Sequence, residues 1–362
     1  MIFKKREYPE RSSKVLCIIK EIFMIKKIMS RKSLAFMRAI FFFSLSVIVL
    51  LPGCAPKNQS KGVTRVNIAF QEWVGYGPFY LAQEKGFMRQ EGIELVFVNE
   101  QLDSARRDAF KEGMLDFEAG TIDLLVSKVA QDTPIVAVME IDQSFGSDAI
   151  VADETIKSLE DLSGKRIALA RDDVGETFIS VLFYQNALPF SAATIVPRLT
   201  EEVADSFLNR EVDACVTWEP QVSKALQRPG AHVLTSTKEH PGIIIDTLNA
   251  RKDLVENNPG LVKKLMRGWF KALQYYKEYP LEASGIIARY YGVTPEQYRK
   301  QVEGLEWDSY EEQQRSSEKE EWFKAFDSIA EVKLANGRIL KKPDASKFLN
   351  HTLLEKLYEV SP

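Results

Sequence analysis

The chain of 362 residues is poor in the side chains that most often carry chemistry. It holds three Cys and three His. That count excludes a disulfide-built scaffold. His232, His240 and His351 lack metal-ligand spacing, so each is expected as a solvated surface residue and no metal site is expected. The sequence contains no G-x-x-x-x-G-K-[S/T] phosphate loop and no G-x-S-x-G nucleophile elbow. Gly75 and Gly77 begin a dinucleotide-like pattern, but Tyr80 stands where its third glycine is needed. Neither a cofactor nor a catalytic constellation is therefore expected. A basic surplus is missing too. Residues 1–53 hold 11 Lys and Arg against 3 Asp and Glu, which leaves 37 basic against 48 acidic residues from Cys54 onward, a net of −11. An acidic body argues against nucleic-acid binding, which needs cations to displace counterions.

What is present begins with an address. A short basic stretch, residues 29–38, precedes an apolar run of 13 residues, 39–51, broken only by Ser44 and Ser46. About 20 apolar residues are needed to span a bilayer, so the run fits the core of a secretory signal. Leu51-Pro52-Gly53-Cys54 resembles a lipobox, with Pro52 departing from the usual small or aliphatic residue. Residues 1–53 are read as a removed signal region, with translation beginning at Met24 or Met29. Cys54 is read as the lipidated new N-terminus and 54–64 as a polar tether. An uncleaved membrane anchor is the alternative. Both place the body outside the cytoplasm. Cys215 would then be the remaining thiol, expected buried and inert in an apolar strand.

The body, 45% hydrophobic and 27% charged over the whole chain, has an ordinary globular composition. Short apolar strands alternate with helical patterns. Strands are expected at 66–70, 93–98, 114–119 and 135–140, with helices from Pro78 to Gly86, at 104–112 and at 122–131. A second block offers strands at 149–152, 167–170, 194–196, 212–217 and 231–234, with helices at 177–186 and 202–209. An extended run follows at 243–248. From Pro259 the pattern is mostly helical, broken at Pro280 and Gly292. The charged stretch 315–321 reads as a solvated helix face. The alternation predicts an α/β protein with mainly parallel sheets. A helical tail without a sheet of its own must pack on a lobe already built. Lobe 1 is thus expected from 65–147 and 243–362, and lobe 2 from 148–242. Two crossings, near 146–148 and 241–243, would form a hinge beside a cleft.

At this point a family resemblance enters. Trp73-Val74-Gly75-Tyr76-Gly77-Pro78-Phe79-Tyr80-Leu81-Ala82-Gln83-Glu84-Lys85-Gly86-Phe87 resembles the opening of solute-binding proteins of the nitrate/taurine/sulfonate (NitT/TauT) class of ABC importers. So do residues 146–152, 156–168, Val212-Asp213-Ala214-Cys215-Val216-Thr217-Trp218-Glu219-Pro220 and 244–246. The resemblance implies the type II periplasmic-binding-protein fold, two lobes closing on a small solute, and partnership with a permease and its ATPase. It implies no chemistry on the solute. A monomer is expected.

Ligand contacts are expected from rings and a few polar groups around the cleft. Trp73, Tyr76 and Gly77 follow the first strand, at the strand end where open α/β folds bind ligands. Thr121 follows the third strand. Asp142 and Ser144 follow the fourth, and Asp148 lies at the crossover. Trp218 and Glu219 follow a lobe 2 strand, and Asp246 interrupts an apolar run on the returning segment. Family members that bind oxyanions tend to carry hydroxyl residues at the helix start near Thr177, whereas this chain has Asp172, Asp173 and Glu176. Asp173 and Glu176 are expected to form a capping box there. This crowd of carboxylates leans the reading toward a cationic or neutral nitrogenous solute. Arg171 leaves an oxyanion such as sulfonate, taurine or nitrate open as the alternative. A pyrimidine-precursor enzyme or a sensor on the same fold are the remaining alternatives.

Overall fold

The computed structural model describes residues 62–98, 100 and 102–359, without the side chains of 316–319. The signal-like run, Cys54 and the tether to residue 61 lie outside the described residues. Among the described residues no helix is long and apolar enough to cross a membrane.

Among the described residues eleven strands form two sheets. They are β1 Thr64–Ala69, β2 Ile93–Val98, β3 Phe117–Thr121, β4 Ile135–Ser144, β5 Asp148–Ala152, β6 Arg166–Leu169, β7 Thr194–Pro197, β8 Ala214–Trp218, β9 His232–Ser236, β10 Ile245–Arg251 and β11 Leu305–Glu306. The first sheet has the order β11-β4-β10-β3-β1-β2, and the second β7-β6-β8-β5-β9. The chain passes from one sheet to the other between β4 and β5, and returns between β9 and β10. Two lobes and two hinge crossings result, as the two-block pattern implied.

The sheets are mixed rather than mainly parallel. β1 runs parallel to β2 and β3, and β6 to β7 and β8. β10 is antiparallel to β3 and β4, and β5 is antiparallel to β8 and β9. These reversed strands are the ones that carry the chain in from the other lobe, so no crossover helix sets their direction. Local alternation in the sequence cannot report that.

Strand β2 shows the alternation directly, with Ile93 and Leu95 buried and Glu94 exposed between them. β4 is buried along nearly its whole length because it is covered on both faces. The tail packs on the first sheet. Its helix Pro259–Glu278 opens with Pro at the first turn and an Asn258 side chain that accepts from Leu261 N at 3.3 Å. Leu261, Leu265, Trp269 and Leu273 bury one stripe of it at four-residue spacing. Helix Pro280–Tyr291 stops at Gly292, whose φ of 67° is the left-handed cap that glycine adopts without strain. Phe79 meets Trp269 at 4.4 Å between ring centroids, which pins the first helix to the tail.

Candidate functional site

The loop after β1 carries the site. Residues 74–76 form one 3-10 turn, and helix Gly77–Glu84 follows at once, with Pro78 in its first turn. Three tail residues hold this loop by its carbonyls in succession. Tyr291 Oη donates to Trp73 O at 2.6 Å, Tyr298 Oη to Val74 O at 3.0 Å, and Trp307 Nε1 to Gly75 O at 3.0 Å. Glycine is required twice here by close packing. A Cβ on Gly75 would stand 2.1 Å from Asp142 Oδ2, and one on Gly77 2.3 Å from Tyr298 Oη. The loop is legible in the sequence but its three holders are not, because nothing local marks an aromatic over 200 residues away as a partner.

A cleft of about 1350 Å3 opens between the lobes. Lobe 1 contributes Trp73, Val74, Leu102, Asp103 and Leu124, with Tyr291 and Val293 of the tail. Lobe 2 contributes Arg171, Asp173, Pro197, Leu199, Trp218 and Glu219. Of the residues expected at the ligand, Trp73, Asp173, Trp218 and Glu219 therefore line the cleft. Glu219 also serves the next helix start, since its carboxylate accepts from Ser223 N at 3.1 Å and Ser223 Oγ at 2.8 Å. Arg198 is committed to its own lobe, with Nε on Ser206 Oγ at 2.7 Å and a second nitrogen on Glu211 at 3.1 Å.

The other expected residues lie below the cleft surface. Tyr76, Gly77, Thr121, Asp142, Ser144, Asp148, Glu176, Thr177 and Asp246 are all buried. Tyr76 Oη donates to Asp246, and Trp73 Nε1 donates to Asp142 Oδ1 at 3.3 Å. Asp142 and Asp246 face each other across β4 and β10. Thr177 Oγ1 reaches from lobe 2 to Asp123 Oδ2 of lobe 1 at 2.9 Å, and Lys333 stands 3.5 Å from the same oxygen. Ser144 Oγ and Gly146 N meet Thr237 Oγ1 at 2.8 Å each, tying one hinge crossing to the other.

This burial changes the electrostatics. Desolvation, and then the charge of Asp246, raises Asp142 well above the usual carboxylate range. Asp246 is pushed up to about 8, first by burial and then by Asp148 and Asp123, against the Tyr76 hydrogen bond. Burial takes Asp148 to about 7 and Asp173 to about 6. Asp142 and Asp246 thus hold protons near neutral pH and Asp148 about half of one, while Asp173 is mostly ionised, so the buried acids carry less negative charge than a count of carboxyl groups implies.

The helix start at 171–177 also departs from expectation. Asp173 is the N-cap of helix Val174–Gln185, but its side chain accepts from Val174 N at 2.8 Å rather than from the third turn residue. Glu176 reaches one residue further back, to Asp172 N at 2.8 Å. Its other oxygen receives both Arg171 and Arg338, the latter from the tail. Glu176 is thus a paired acid between lobes and not a negative wall of the cleft. One carboxylate behind the expectation of a cationic solute is thereby neutralised, although Glu72, Asp103, Asp172, Asp173, Glu201, Glu202 and Glu219 still line the cleft beside Arg171 and Arg198. Of the histidines, His351 is buried, its ring centroid 4.2 Å from that of Trp322, and not solvated as expected. Cys215 is buried in β8, and burial pushes its thiol up to about 12, as an inert core residue requires.

The NMT1/THI5 like family matches residues 73–283. The chain belongs to this family. The matched stretch begins at Trp73, the first ring of the cleft, and takes in both hinge crossings. A Bacillus subtilis (strain 168) relative named "Putative aliphatic sulfonates-binding protein" is 24% identical over 87% of this chain and 95% of its own length. Among solved structures, the periplasmic aliphatic sulphonate binding protein SsuA of Escherichia coli superposes with a TM-score of 0.68 at 16% identity, covering 79% of this chain and 92% of that one. The desulfurization enzyme DszB shares the fold at a TM-score of 0.56 and 15% identity, over 81% of this chain and 99% of that one. The family fold is the two-lobed periplasmic-binding-protein fold, in agreement with the NitT/TauT resemblance carried by the motifs.

Proposed function

We propose that the chain is the extracytoplasmic solute-binding component of an ABC importer and that its solute is an organic sulfonate or a related oxyanion. The observation that carries the reading is the interlobe cleft walled by Trp73 and Trp218, lined by Arg171, one nitrogen of which pairs with Glu176, with Asp142 and Asp246 buried and protonated nearby. The sulfonate-binding relative of nearly equal length supports the solute class. Lobe 1 is assigned as 65–147 with 243–362, and lobe 2 as 148–242. The cleft residues Trp73, Asp173, Trp218 and Glu219 touch the solute, and Tyr76, Gly77, Thr121, Asp142, Ser144, Asp148, Glu176, Thr177 and Asp246 shape the floor and hinge. The closed monomer delivers its solute to the permease and ATPase from a lipid anchor on Cys54.

Isothermal titration of the purified chain with alkanesulfonates, taurine, nitrate and alkylamines tests this reading. Saturable binding of a sulfonate is expected, and binding of amines with no response to any oxyanion would overturn it. An enzyme reading is favoured only by the shared fold with DszB. The buried Cys215, with its thiol near 12, is a poor nucleophile. Recovering a bound sulfonate unchanged by mass spectrometry after long incubation is the expected outcome.

A further inference from the structure

Two leucines occupy places where the fold itself would gain from a polar residue. Leu102 is the N-cap of helix Asp103–Lys111 and Leu199 that of helix Thr200–Leu208. Both have extended backbone, with φ −79° and ψ 120° at Leu102 and φ −68° and ψ 150° at Leu199. Neither can offer a side-chain oxygen to the open N–H groups that follow, the service that makes Ser, Thr, Asn and Asp favoured there. Nor do they serve the core, since Leu102 is 67% exposed and Leu199 62%. The two come from opposite lobes and line the same cleft. Trp73 and Trp218, again one from each lobe, line it too.

An apolar side chain kept in water recovers its hydration cost only when something apolar covers it. A sulfonate group alone would use a small part of about 1350 Å3, and would leave both leucines in water. Taurine, charged at both ends, covers them little better. We propose that Leu102 and Leu199 are opposed jaws that close on the hydrocarbon part of the solute, and that the ligand is an organic sulfonate with an extended or bulky apolar body. This rests on the sulfonate reading above. Arg171, on the lobe 2 wall of the same cleft, meets the charged end with the guanidinium donors beyond the one nitrogen that Glu176 takes. Lobe closure then buries the hydrocarbon between two leucines and two indoles, and selectivity over taurine and nitrate comes from that burial rather than from the charge.

Calorimetric titration with methane-, butane-, hexane- and octanesulfonate tests the proposal, run on the wild type and on the double variant Leu102→Ser with Leu199→Ser. Serine supplies the missing caps, so the variant is expected to fold with an unchanged or higher Tm. In the wild type each added methylene is expected to tighten binding by up to about fourfold. In the variant octanesulfonate should weaken by about tenfold while methanesulfonate stays within about twofold. Equal affinity across the series in the wild type overturns the jaws and leaves the sulfonate reading standing. An unchanged dependence on chain length in the variant does the same. Failure of every sulfonate to bind overturns both.

Discussion

Asp148 and Asp246 stand at the starts of the two strands that re-enter each sheet from the opposite lobe. Each is buried without a neutralising cation among its chief influences, and each is raised, to about 7 and about 8. An unfolded Asp titrates near about 3.9. A carboxyl whose folded pKa exceeds its unfolded one stabilises the fold fully below the unfolded value. That contribution shrinks as pH rises toward the folded value and is gone above it. Stability should therefore fall between about pH 4 and about pH 8 on account of this pair. Urea midpoints measured across that range should show the decline, and Asp148→Asn should flatten the part below about pH 7. Ionisation of the same floor should weaken oxyanion binding above about pH 8, which titration calorimetry at two pH values would read.

Elements that look like mere support position the site. The run of donors from Tyr291, Tyr298 and Trp307 onto the carbonyls of 73, 74 and 75 turns the helical tail into the clamp of the 73–77 loop. Replacing Trp307 by Phe keeps most of the ring but leaves Gly75 O without its partner, a loss of about 1–3 kcal/mol for a buried group. The expected result is weaker solute binding with a modest drop in Tm, measured by calorimetry and thermal melting. Gly77→Ala must push Tyr298 Oη and Ile287 aside, the latter only 2.6 Å from the added Cβ. Overpacking of that kind costs about 1–3 kcal/mol, and the urea midpoint should fall accordingly.

At the scale of the molecule, two lobes are held by few polar ties away from the cleft. Arg338 bridges the tail to Glu176 and stands 3.6 Å from Asp172, while Thr177 and Asp123 join the lobes below. Arg338→Ala removes this bridge. Small-angle scattering of the ligand-free variant should show a larger radius of gyration than wild type, and an unchanged radius would count against Arg338 as a lobe tie. Its effect on global stability should stay near about 1 kcal/mol, since the guanidinium is partly exposed.

Local periodicity and punctuation determined the elements, the two-block order and the loop at 73–77, because these depend on neighbours within a few residues. Pro78, Pro259, Pro280 and Gly292 bound helices where the sequence placed their breaks. The cysteine and histidine counts fixed expectations about chemistry in the same way, although burial of His351 had no local sign. Strand direction was not legible, since β5 and β10 owe theirs to chain crossings. Charge around the cleft is only partly legible for a related reason. A carboxyl group reads as a negative charge in any sequence, but whether it keeps its proton depends on burial and on what faces it. Only the tertiary structure put Asp142 against Asp246 and Arg338 against Glu176. The same holds for Leu102 and Leu199, ordinary exposed leucines along the chain, which become a pair only when the two lobes bring them to one cleft.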